Sequence, residues 1–72
     1  MKAYFVKYYG EEFALIRMEA PGKLNDGGAR AWIYQPGGWK ESPDHVNRVL
    51  YTGEYDEITE AEAVKLKNRM RK

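Results

Sequence analysis

The chain contains no cysteine and a single histidine, which limits how its 72 residues can form a stable fold. Domains of this size bury a smaller fraction of their surface than larger domains do, and they compensate with disulfides, a metal, oligomerisation or large core residues. Disulfides are impossible here, and a structural zinc site needs several cysteine or histidine ligands. The six tyrosines, two tryptophans and two phenylalanines must therefore supply a core, a partner surface or both.

The charge balance argues against a dedicated nucleic-acid binder. Twelve basic and eleven acidic residues give a formal net charge of +1, whereas such binders usually carry a strong basic excess. No run approaches the length of about 18 apolar residues that a membrane span needs. Together with the lack of cysteine, which fits a reducing compartment, this predicts a cytoplasmic protein.

Residues rich in aromatic and β-branched side chains mark the strands. Ala3–Tyr9 and Phe13–Met18 are joined by Gly-Glu-Glu and predict an antiparallel hairpin. Arg30–Gln35 is a third strand, and after Pro-Gly-Gly the short run 39–40 can begin a return strand. Glu54–Ile58 is a short extended segment at most.

Two helices follow from start and stop signals. In the segment Ser42–Gly53, Ser42 is the predicted N-cap, Pro43 takes the first helical position and Gly53 ends the helix. In the segment Thr59–Lys72, Thr59 and Glu62 have the spacing of a capping box.

Together these elements predict a small α+β fold. We expect a three-stranded antiparallel sheet, with a four-stranded sheet as the alternative, whose one face packs against two short helices. Residues 1–72 form one domain. Because the apolar stripes of both predicted helices are narrow, they are expected to leave part of the aromatic sheet face uncovered.

An uncovered aromatic face predicts a non-catalytic protein-interaction module that binds a protein partner or a second copy of itself. The candidate interaction surface comprises Tyr4, Tyr8, Tyr34 and Trp39. Trp32 is expected in the core, and the Pro-Gly-Gly turn is expected to bring the two tryptophans close together.

The alternative is weak binding of nucleic acid through the basic carboxyl-terminal helix and exposed tyrosines. The candidate phosphate contacts are Lys65, Arg69, Arg71 and Lys72. The same cations also complement the negative end of the helix dipole, and this simpler interpretation is favoured because the whole chain is nearly neutral.

No catalytic, cofactor-binding or metal-binding residue is predicted. Ser42, Asp44 and His45 are neighbours on one turn, whereas a catalytic triad is assembled from distant segments. The chain also lacks the glycine-rich phosphate-binding motifs and the ordered calcium-binding loop.

The run from Trp32 to Ala63, with its "GGW" turn, its "SPD" and its "TGEYDEITEAEA", resembles a group of small single-domain bacterial proteins. They begin with a "Y-F-V" type strand and end with "Y-x-x-I-T-x-x-E-A" leading into a helix. The resemblance implies one compact domain. Because no activity is assigned to that group, it implies no functional residue.

Overall fold

The computed structural model describes residues 1–24 and 27–70 and contains one antiparallel sheet with two helices. The strands are β1 (Lys2–Tyr9), β2 (Glu12–Glu19), β3 (Arg30–Gln35), β4 (Gly38–Glu41) and β5 (Asp56–Ile58), and the helices are α1 (Asp44–Tyr51) and α2 (Glu60–Met70). The strand order is β4-β3-β2-β1-β5. The α+β class is confirmed, but the sheet has five strands rather than the predicted three or four.

Both faces of the sheet are apolar, and each is covered by one helix. Successive side chains of a strand point to opposite faces. Against α1 lies a core of Ala3, Phe5, Ile16, Met18, Leu24, Ala31, Val49 and Tyr55. Against α2 lies a core of Tyr4, Val6, Leu15, Tyr34, Ala63 and Leu66. The prediction that both helices share one face was therefore wrong: β1 and β2 bury residues on both sides, and a single helix layer would leave one side open.

The fifth strand comes from the segment predicted to be extended. Tyr55 is buried, and β5 then pairs antiparallel with β1, so that Tyr4 lies opposite Ile58. Just before the strand, Lys7 Nζ donates a hydrogen bond of 2.8 Å to Glu54 Oε2. This pairing places the start of α2 over the second face of the sheet.

The two helix starts differ from each other. Thr59 and Glu62 form the predicted capping box, in which Glu62 N donates to Thr59 Oγ1 at 3.1 Å and Thr59 N donates to Glu62 Oε1 at 3.4 Å. At α1 the prediction was wrong. The helix begins at Asp44, and the Ser42 hydroxyl bonds the imidazole of His45 at 2.6 Å instead of capping the backbone.

Glycines end the first helix and turn the second hairpin as predicted. Gly53 follows α1 with φ +70°, and Gly37 follows Pro36 with φ +107°. Both angles lie in the left-handed region, where side chains cause strain. Within the described residues, no helix combines the length and apolar character needed to cross a bilayer.

Candidate interaction site

The α2 side of the sheet is covered unevenly. Helix α2 packs chiefly on β1 and β2, where Ala63 and Leu66 cover Val6 and Leu15. Strands β3 and β4 extend beyond it, because they occupy the far end of the strand order. On this half of the face, Tyr34 and Trp39 still pack with the α2 core, whereas Trp32 lies outside it.

Trp39 lies at the boundary and packs into the core. Its ring centroid is 5.2 Å from that of Tyr34, edge-on, and 6.2 Å from that of Tyr4. Tyr34 is its direct neighbour across the β3–β4 hairpin. Such aromatic pairs add about 0.5–1.5 kcal/mol each beyond the area they bury. Trp39 is thus mainly a structural residue that joins β4 to the core.

Arg17 connects the two tryptophans. The register places Arg17 directly opposite Trp32 on β2 and β3. Its guanidinium carbon lies 4.6 Å from the Trp32 ring centroid and 4.9 Å from the Trp39 ring centroid. The hairpin puts both tryptophans on one face, but they are not the cross-strand pair that the turn was expected to form: Trp39 lies opposite Tyr34 and Trp32 opposite Glu41, and Arg17 contacts both rings. We call Trp32, Arg17 and Trp39, together with Arg30, the tryptophan–arginine row.

Trp32 was predicted to be a core residue, and that prediction was wrong. It belongs to neither core, and its exposure is intermediate. Two arginine side chains cover it: Arg17, and Arg30 with its guanidinium carbon at 5.5 Å from the ring centroid. The physical reason is that the coverage by α2 reaches Tyr34, two residues along the same face of β3, but does not reach Trp32.

Two carboxylates accompany the arginines of the row. Arg30 donates from Nε and Nη2 to both oxygens of Glu41, each at 2.8 Å. Arg17 Nε is 2.9 Å from Glu19 Oε2, but its N–H does not point at that oxygen and has no acceptor among the described residues. Glu19 therefore offsets the charge of Arg17 without satisfying this buried donor.

A shallow groove lies at each end of the row. One, of about 540 Å³, separates the β3–β4 turn from α2 and is lined by Trp39, Gly38 and Lys67, among others. Lys67 Nζ lies 5.8 Å from the Trp39 ring centroid. The other, of about 550 Å³, is lined by Trp32 and Arg30, with Met1, Pro21 and others around them. Each groove combines a tryptophan with a cation.

Of the four residues of the predicted interaction surface, the structure buries two and leaves the other two exposed or partly exposed. Tyr4 and Tyr34 are buried at 9% and 7% exposure, which corrects their assignment to an exposed face. Tyr8 is 55% exposed and contacts Phe13, with 6.1 Å between ring centroids. Trp39 is partly exposed.

The sequence did contain one signal for the row: Arg17 is a charged residue inside an otherwise apolar strand, and it faces the same way as Leu15.

The predicted phosphate contacts lie on the other flank of α2. Lys65 and Arg69 line a third groove with Tyr8, and the Arg69 guanidinium carbon lies 5.5 Å from the Phe13 ring centroid. The remaining two predicted contacts, residues 71 and 72, lie outside the described residues.

His45 has a local structural role at the start of α1. Its ring meets Tyr55 edge-on, with 6.3 Å between centroids. Burial, assisted by the nearby charge of Arg48, lowers the pKa of His45, and burial raises the pKa of Tyr55. Across residues 1–24 and 27–70, no three histidine, cysteine or acidic side chains lie close enough together to hold a metal ion.

Comparison of the chain with protein-family models, with curated proteins and with solved structures found no match.

Proposed function

We propose that this chain is a small, non-catalytic protein-binding module and that its partner contacts the tryptophan–arginine row. The observation that carries the proposal is the position of Trp32. A large ring lies outside both cores and is covered by arginine side chains, one of which, Arg30, is 62% exposed. A partner can displace Arg30 without unfolding any element.

The composition of the row supports a protein partner. Tryptophan and arginine are enriched among the residues that contribute most to protein–protein binding, because they offer a large contact area with few rotamers or a rigid fork of donors. Here the two types alternate across the sheet, and the contacts of Arg17 with both rings hold them in place before a partner arrives. Such preorganisation lowers the entropic cost of binding.

Self-association through a broad aromatic sheet face has less support than the sequence suggested. Both faces carry a helix, and the rings of Tyr4 and Tyr34 are buried beneath α2. A second copy would have to use the row itself. Sedimentation of the free protein at micromolar concentration therefore serves as a control, and we expect a monomer.

The test is selection of random peptides displayed on phage against the folded protein, followed by calorimetric titration with the enriched peptides. Since hot-spot truncation costs about 2 kcal/mol or more, Trp32→Ala should weaken binding by at least about tenfold. Tyr51→Ala is the matched control, because Tyr51 is a 70% exposed ring on α1, on the opposite side of the sheet. Peptides that bind Trp32→Ala as tightly as the wild type would refute the proposal.

A second candidate is weak binding of single-stranded nucleic acid in the groove formed by Tyr8, Lys65 and Arg69. An exposed ring beside two cations can stack a base and hold a phosphate. Titration with a single-stranded oligothymidine at low salt tests it. Binding that weakens steeply with salt and is lost in Lys65→Ala/Arg69→Ala would favour this candidate over a peptide partner, and a flat titration would remove it.

A further inference from the structure

Strand β4 ends the sheet beside the row, and its hydrogen-bonding pattern can be derived. Ser42 N donates to Ala31 O at 2.8 Å, which marks a hydrogen-bonded pair. In an antiparallel ladder such pairs alternate with non-hydrogen-bonded pairs. Lys40 therefore directs its backbone groups toward β3, whereas Trp39 and Glu41 direct theirs outward. In the part of the chain that the structure describes, β4 has no second neighbouring strand.

We propose that an extended, acidic segment of a partner protein pairs with this edge as a sixth strand. The inference rests on the proposed function and gives its partner a chemical class. The outward N–H and C=O groups of Trp39 and Glu41 offer four hydrogen bonds to such a segment. Strands lie about 4.8 Å apart, so side chains of the added strand would stand directly beside the Trp39 ring and the Arg30–Glu41 pair.

The charge around this edge selects an acidic segment. On the face of Trp39, Arg17 and Lys67 lie near its ring, while Glu19 pairs with Arg17 and Glu41 pairs with Arg30. Lys40 lies between Trp39 and Glu41 on the strand, so its side chain points to the opposite face of this edge. Within residues 1–24 and 27–70, neither Lys40 nor Lys67 forms an ion pair. The opposite edge of the sheet, β5, carries Asp56 and Glu57 and would repel the same segment. An acidic strand is thus directed to one edge only.

Like charges disfavour two of the registers in which two copies could pair through β4. A two-fold pair centred on Lys40 opposes two lysines, and one centred on Glu41 opposes two glutamates, and like charges directly opposite are destabilising. A pair centred on Trp39 opposes no like charges, and sedimentation of the free protein tests that register. A lysine on an edge strand also protects against unselective edge pairing. A segment that brings glutamate or aspartate to Lys40 removes that protection.

The experiment uses ¹⁵N-labelled protein and three synthetic probes of equal length. They are an acetylated octapeptide of alternating glutamate and valine, its lysine–valine counterpart, and the acidic octapeptide with every amide N-methylated. We expect the acidic probe to shift the amides of Trp39 and Glu41 saturably. The basic probe should bind at least about tenfold more weakly, and the N-methylated probe should not bind, because it cannot donate to the edge.

A matched pair of variants tests the edge from the side of the protein. Glu41→Pro removes the outward N–H and leaves the bonds to β3, since proline is tolerated on an edge. Glu41→Ala removes the same carboxylate and keeps that N–H. We expect Glu41→Pro to bind the acidic probe at least about tenfold more weakly than Glu41→Ala. If Glu41→Pro fails to fold, the comparison of the acidic and the N-methylated probes alone tests strand pairing at β4.

Several outcomes would overturn the inference. They are equal binding of the acidic and the N-methylated probes, equal binding by a folded Glu41→Pro and by Glu41→Ala, no binding of the acidic probe, and concentration-dependent oligomers of the free protein. The proposed function is tested separately by Trp32→Ala. Peptides that lose affinity for Trp32→Ala but do not depend on the β4 edge would leave the binding module standing and remove only strand pairing.

Discussion

The two tryptophans are expected to differ in what they contribute to stability. Trp39 contacts Tyr34 and Tyr4 and packs against the α2 core, whereas Trp32 lies outside both cores and is covered by the side chains of Arg17 and Arg30. Replacing Trp39 by alanine therefore removes contacts with the core, whereas replacing Trp32 removes contacts with arginine side chains. The comparison tests directly which of the two residues belongs to the core.

The magnitudes follow from the contacts. A tryptophan that keeps most of its ring covered buries about 150 Å², which at about 25 cal/mol per Å² gives close to 4 kcal/mol as an upper limit. For Trp39→Ala we expect a loss of about 3 kcal/mol, because the neighbouring tyrosines cannot follow the missing ring. For Trp32→Ala we expect about 1 kcal/mol, since Trp32 lies outside both cores and the exposed side chain of Arg30 can cover the strand in its place.

Urea unfolding followed by far-ultraviolet circular dichroism measures both values, and Tyr51→Ala serves as a variant that should change little. For a domain of this size, each kcal/mol corresponds to about 4–8 °C in Tm. Trp39→Ala should therefore melt at least about 12 °C below the wild type, and Trp32→Ala about 4–8 °C below it. Equal losses for the two variants would refute the assignment of Trp32 to the surface.

Three further predictions concern the parts of the fold that hold the site. Thr59→Ala should lower the unfolding free energy by about 1 kcal/mol, because α2 loses its capping box; an unchanged melting temperature would contradict the role of the cap. Gly37→Ala should cost about 1–2 kcal/mol in chemical denaturation, because φ is +107° and the added methyl group meets no atom that could offset the strain; a more stable variant would show that the turn can change shape at no cost. Because the pKa of folded His45 lies below its ordinary value of 6.5, the unfolded state binds more protons as the pH falls through this range. Stability should thus be highest above about pH 6.5 and decline toward about pH 5, and His45→Gln should flatten this part of the pH profile. If the stability of His45→Gln declines as steeply with falling pH, the pH dependence arises from other titratable groups.

Local chemistry made much of the fold predictable. The capping box at Thr59 and Glu62, the turn at Pro36 and Gly37 and the alternating strands each depend on residues that are close in sequence. At α1 the same reasoning failed, because the Ser42 hydroxyl had a competing partner, the His45 ring, which also lies on the first turn.

The parts that could not be predicted depend on contacts between distant segments. Whether the helices share a face is decided by the pairing of β5 with β1, and the acidic segment 54–58 gives only a weak strand signal. Tyr34 and Trp32 are two residues apart on one face of β3, yet one is buried and the other is not. Their difference in burial depends on how far α2 extends over the sheet, and the pattern of apolar residues in the sequence does not predict that extent.

The most direct test of the central claim is a map of amide and indole shifts in the ¹⁵N-labelled protein during titration with a selected peptide. We predict that the largest changes fall on the Trp32 indole and on the amides of Trp39 and Glu41. The residues around Tyr51 on α1 should remain unchanged. Shifts concentrated on α1, or on the flank of α2 near Lys65, would contradict a binding site at the tryptophan–arginine row.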